Sequence, residues 1–134
     1  TASMRLAVLD IPPTPAAALC IRSGYLALRE VAGFFGFDYD DAPAPDDPIS
    51  VSRDEFDEVY ARLVGAGVPV HADRDQAWRD FSGWRVNYDR VLVTLAVYVM
   101  APYAPWVSDR SPVEPLKHYG WGRRRIEITR RAQR

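Results

Sequence analysis

Proline constrains this chain more than any other residue. All but one of its eleven prolines gather in three stretches, "IPPTP", "DYDDAPAPDDP" and "APYAPWVSDRSPVEP". Proline has no N–H to donate and a fixed φ, so none of these stretches continues a helix or sits inside a sheet. The regular structure must lie between them, and there apolar residues recur at steps of three and four. That periodicity over 134 residues predicts an all-α fold, a small helical bundle in one domain spanning residues 1–134.

The first window covers residues 14–36. Thr14 is placed to cap a helix, and Pro15 suits its first position, where a missing N–H is not felt. Ile21, Tyr25, Leu28, Ala32 and Phe35 share one face, Arg22, Arg29 and Glu30 lie off it, and Gly36 ends the pattern. In the second window Ser52 and Glu55 form an S-x-x-E capping box. Phe56, Val59, Tyr60, Leu63 and Val64 then repeat at helical spacing, and Gly65 and Gly67 stop them. The leading "TASMRLAVLD" reads as the end of a helix or as a short strand. Met4 within it reads as an initiator behind three extra residues or as an internal residue.

The third window, residues 73–100, has Asp73 as cap and Pro102 just beyond. At 1.5 Å per residue it predicts one long central helix of roughly 40 Å. On a helical wheel Trp78, Phe81, Arg85, Tyr88, Leu92, Leu95 and Val99 share a face, and Asp89 lies one turn after Arg85. Beyond Arg90 the helix is apolar nearly all round, which predicts that protein or a partner surrounds it. Gly24 and Gly83 fall inside helices, where glycine is about 1 kcal/mol worse than alanine. Close approach of the first and third helices at these glycines is the expected compensation.

A guanidinium among aromatics needs a carboxylate, so Arg85 is expected to pair with Asp89, or with Asp109 or Glu30 from elsewhere. Two readings follow. Arg85, Trp78, Phe81, Tyr88, Asp89 and Trp106 can form a pocket for a small anion, or the arginine can be a structural ion pair. The ion pair is preferred, because no other anion-binding feature lies nearby in sequence. The stiff loop "PYAPWVSDR" is expected to cap a core, with Asp109 and Arg110 clamping it to a helix end.

Net charge is −1, which gives no general pull towards nucleic acid or membranes. The charge is uneven: residues 38–58 hold nine carboxylates against Arg53, and residues 123–134 hold six arginines against Glu127. Arg123, Arg124, Arg125, Arg130 and Arg131 can contact the phosphates of nucleic acid or anionic lipid, with His118, Tyr119 and Trp121 stacking beside them. The slightly acidic whole favours a solvated basic tail over residues 111–134, which reads as a short helix, a short strand or a partly disordered end. Cys20 is the sole cysteine, and His71 and His118 have no second ligand at metal spacing. Hydrolase, P-loop and dinucleotide motifs are absent. The expectation is therefore no cofactor, no metal and no enzyme. The longest apolar run, residues 91–107, is cut by two prolines and falls short of the roughly 20 residues of a spanning helix, so a soluble chain is expected.

Four segments in order, "ALCIRSGYLALREVAGFFG", "DDPISVSRDEFDEVYARLVGAGVPV", "DQAWRDFSGWRVNYDRVLVTLA" and "APYAPWVSDR", carry a family resemblance. Together they resemble the C-terminal soluble region of actinobacterial integral membrane proteins whose N-terminal part looks like a two-helix potassium-channel pore unit. The resemblance spans residues 9–110. Its pattern has a small residue, often serine, where Val107 stands. It implies a non-catalytic accessory domain of a channel-like membrane protein, at the cytoplasmic face of the plasma membrane. It also implies that residues 1–12 continue an upstream segment. The implied partners are the parent membrane region or further copies of the chain. The resemblance assigns no ligand or catalytic residue.

Overall fold

The computed structural model describes residues 2–12, 14–112 and 117. These residues form five helices: α1 (Ala2–Val8), α2 (Pro15–Phe34), α3 (Arg53–Gly65), α4 (Arg74–Arg85) and α5 (Asp89–Tyr98). The all-α bundle expected from the periodicity is the fold. The leading segment is helical rather than a strand, although Leu9, just past α1, forms an isolated antiparallel bridge with Val70. The Asp10 N–H donates to the Pro69 carbonyl at 3.0 Å, and the His71 N–H to the Val8 carbonyl at 2.9 Å.

Helix starts follow the local chemistry. Ser52 Oγ accepts the Glu55 N–H at 3.3 Å while the Glu55 carboxylate accepts the Ser52 N–H at 2.9 Å, which completes the capping box. Asp73 caps α4 by accepting the Gln76 N–H at 2.9 Å. Thr14 stands at the N-cap of α2 but its side chain makes no capping bond, so Pro15 alone marks that start.

Helix ends share one device. After α2, α3 and α5 the chain closes with paired bonds running back to the last turn: Phe37 to Ala32, Val68 to Leu63 and Ala101 to Ala96. This is the Schellman arrangement, which needs a left-handed residue just past the helix. Gly36 and Gly67 fill that place with φ of 80° and 71°. After α5 the place is filled by Met100, at φ 51°.

The third window is not one long helix. α4 stops at Arg85 and α5 begins at Asp89, with a turn over residues 86–88. Asparagine is the local cause. The Asn87 side-chain amide donates to the Gly83 carbonyl at 2.9 Å, taking the acceptor that a continuing helix would use for a backbone N–H. The predicted stripe is therefore divided between two cores. Phe81 joins Ala7, Val8, Val51, Phe56, Tyr60 and Ala77 in one, with Trp78 and Trp106 packed against it. Leu95 joins Ala32, Phe37 and Val91 in the other.

Gly24 and Gly83 do not meet: a Cβ at either position would have nothing within 4 Å. The α2 helix packs instead on α1 and α5, while α4 packs on α1 and α3. Val64, on the periodic face of α3, is exposed rather than buried. The far end of α5 is not enclosed by the described residues of this chain, which leaves the expected covering to a partner. Val91, Val93, Leu95 and Ala96 are buried, but Val97, Tyr98, Val99 and Met100 are exposed.

Candidate functional site

The break after α4 is where the buried charges meet. Asp89 opens α5 and is only 1% exposed. One carboxylate oxygen accepts the Arg85 Nε–H at 2.5 Å and the Ser50 hydroxyl at 2.7 Å; the other accepts the Ser50 N–H at 2.7 Å. Its place in the first turn of α5 also lets the helix dipole favour the negative charge. Arg85, 5% exposed, spends a second donor on the Trp106 carbonyl, and its guanidinium lies 5.2 Å from the Tyr88 ring centroid. Asp89 is thus the partner of Arg85, and Asp109 and Glu30 are not. Arg85 and Asp89 are a buried ion pair, as the preferred reading has it, with both side chains almost wholly enclosed. Trp78, Phe81 and Trp106 belong to the aromatic core: Phe81 lies 6.0 Å from Trp78 and 5.7 Å from Trp106 between ring centroids.

The stiff loop is clamped by Arg110, which donates to Glu55 Oε1 at 2.5 Å and to the Ser50 carbonyl at 3.4 Å. That hydrogen bond, with the capping bond from Ser52, holds the Glu55 carboxyl down at about 2. Asp109 turns inward on its own loop, accepting the Val107 N–H at 3.1 Å. The residues preceding α3, the α4–α5 break and the loop are therefore bound into one polar cluster.

Sequence reasoning missed Arg29. It lies off the apolar stripe of α2, yet it is 6% exposed. Its guanidinium donates to the Asp41 carbonyl at 2.9 Å and the Asn87 carbonyl at 3.0 Å, and sits 4.8 Å from the Tyr25 ring centroid. Its Nε has no hydrogen-bond partner. Nothing local in the sequence signals this role, because both acceptors are backbone carbonyls supplied by distant segments.

Beside it a cleft of about 240 Å³ lies between the acidic loop and the α4–α5 break, with Tyr39, Asp40, Asp47, Asn87 and Arg90 among its walls. Asp40 and Asp47 each accept a backbone N–H of that loop at 2.9 Å. Among the described residues no group of three or more His, Cys, Asp or Glu could hold a metal, and no helix is long and apolar enough to cross a membrane. The basic residues Arg123, Arg124, Arg125, Arg130 and Arg131 lie outside the described residues.

The most distinctive surface is apolar. At the shared end of α2 and α5 the rings of Phe34 and Phe35, Phe35 and Tyr98, and Tyr98 and Phe37 follow one another at 5.4, 5.2 and 5.2 Å. Phe34 and Tyr98 in this row are exposed, as are Val31 near the end of α2, Val97, Val99 and Met100 at the end of α5, and Tyr103 a few residues beyond. Met100 is 88% exposed and held in a backbone region that favours glycine. Comparison with known protein families, with curated proteins and with solved structures found no match.

Proposed function

We propose that this chain is a non-catalytic accessory domain of a channel-like membrane protein, held at the cytoplasmic face of the plasma membrane. It acts there by assembly or regulatory contact through the apolar end of α2 and α5. The observation that carries this reading is the exposure of Phe34, Val97, Val99 and Met100 at the ends of α2 and α5, beside the aromatic row of Phe34, Phe35, Tyr98 and Phe37. Contiguous exposed apolar surface of this kind marks contact sites in folded proteins. The buried ionisable side chains support it from the other side. Arg85, Asp89 and Arg29 are spent on each other and on backbone groups, which is scaffold work rather than chemistry.

The membrane context follows from the sequence resemblance, and self-association follows from the oligomeric habit of channel-like pores. Two measurements test the reading. Light scattering across a concentration series should give a discrete oligomer for the chain, and Val97→Ser with Met100→Ser should lower its mass. Deleting the domain from the full-length membrane protein should alter assembly or conductance; unchanged values for both would overturn the assignment.

A further inference from the structure

We propose that two copies of this chain pair antiparallel along the outer side of α2, about a two-fold axis at Leu26 that sets Arg22 of each copy against Glu30 of the other. The pairing uses the side of α2 rather than the apolar end of α2 and α5. It therefore goes beyond the reading above and does not depend on it.

The helix has a side that the fold leaves bare. Ala17, Ile21 and Ala32 bury its inner side. On the opposite side Leu19 is 64% exposed and Leu26 48%. At the helical period Leu19, Arg22, Leu26 and Glu30 fall within roughly 80° of one another. Two exposed leucines two turns apart thus form an apolar seam with a charge of each sign along it.

Charge indicates what covers the seam. Arg22 and Glu30 are the only charged residues that α2 exposes, since Arg29 is buried. They stand four positions either side of Leu26, and neither forms an ion pair with another described residue. Opposite charges spaced equally about a central apolar residue are complementary to themselves when turned end for end. In an antiparallel pair each Arg22 meets Glu30 of the other copy, twice over by symmetry, and Leu26 meets its own copy on the axis. Leu19 falls opposite Gly33 of the other copy, where no side chain stands in its way. Residues 18–34 overlap, roughly 25 Å of helix. A parallel pair would set Arg22 against Arg22 and Glu30 against Glu30, so the same charges disfavour it.

Light scattering of the full chain across a concentration series, at low ionic strength, reads the pairing. The expected species is a dimer. Arg22→Glu and Glu30→Arg, made singly, each turn two attractive pairs into two like-charge pairs, and each should weaken the dimer roughly tenfold. The two changes together should restore it. Single reversals without effect, a double variant no better than either, or a monomer at every concentration would each overturn the proposal. Oxidative cross-linking in a Cys20→Ser background reads the orientation. Leu26→Cys should link two copies, while Leu19→Cys should not, because its two copies stand roughly 21 Å apart along the axis. Links at both positions, at Leu19 alone or at neither also overturn it. Val97→Ser with Met100→Ser separates the two surfaces. A mass lowered by that variant and untouched by the charge reversals keeps the α2–α5 end as the contact and removes this pairing. The opposite result keeps the pairing and removes the end.

Discussion

Asp89 shows how much one side chain can organise. Removing it as Asp89→Ala leaves Arg85 buried without its counterion, and the expected loss is about 3–5 kcal/mol, read from urea denaturation. A loss under about 1 kcal/mol would mean that the cluster relaxes into water. Met100 predicts the opposite sign. Met100→Gly relieves a left-handed side chain and should stabilise the fold by about 1 kcal/mol, while weakening any contact made through the apolar end. Glu55 carries a pH dependence. Its carboxyl is depressed to about 2 in the folded protein, chiefly by Arg110, against roughly 4.3 when unfolded. The stabilisation is therefore complete above about pH 4.3 and is lost as pH falls towards about 2. Glu55→Gln should flatten the stability profile in that window. Because Glu55 is partly exposed, added salt should shrink the effect. These residues were not equally legible. Ser52, Glu55 and the Arg85–Asp89 pair could be read because their partners lie three or four positions away. Arg29 could not, since its acceptors at Asp41 and Asn87 lie 12 and 58 positions along the chain.

At the scale of elements, periodicity identified where helices run but not where they are interrupted. The window over residues 73–100 keeps its apolar spacing through the break, so nothing in that pattern separates α4 from α5. What decides is competition at Asn87, whose amide takes the Gly83 carbonyl, together with Ser50 reaching Asp89 from outside the window. Asn87→Ala removes the competing amide and should favour a continuous helix. Circular dichroism would then show increased helicity, and the Ser50–Asp89 bonds would be strained, with lower stability. Unchanged helicity would mean that tertiary contacts alone hold the turn. The glycines teach the complementary lesson. Gly24 and Gly83 were read as a crossing point, but helix spacing is set here by α1, which inserts between α2 and α4. A short helix at the front of the chain gave no sequence signal strong enough to claim that place.

Across the whole molecule the two apolar cores divide the labour. One, around Phe56 and Phe81, is ringed by aromatic side chains, and Phe56→Ala there should cost about 3–5 kcal/mol. The other, around Ala32 and Leu95, is smaller and ends in the exposed face of α2 and α5. The all-α class was legible because it depends on period alone. The meeting of the α2 and α5 ends was not, because it depends on contacts between Phe35, Phe37 and Tyr98 across about sixty positions, although the apolar run beyond Arg90 already stood out. The helix α1 is tied to groups far along the chain. Ser3 bonds the Tyr88 hydroxyl across 85 positions, and Leu9 bridges Val70. During synthesis, then, α1 can meet α2 early, but its bonds to Val70 and Tyr88 must wait until those later segments have emerged. A helix held by such long-range contacts is expected to dock after the folding barrier, so Ala7→Gly should speed unfolding in stopped-flow and leave the folding rate nearly unchanged. A slowed folding limb would instead place this leading helix in the nucleus.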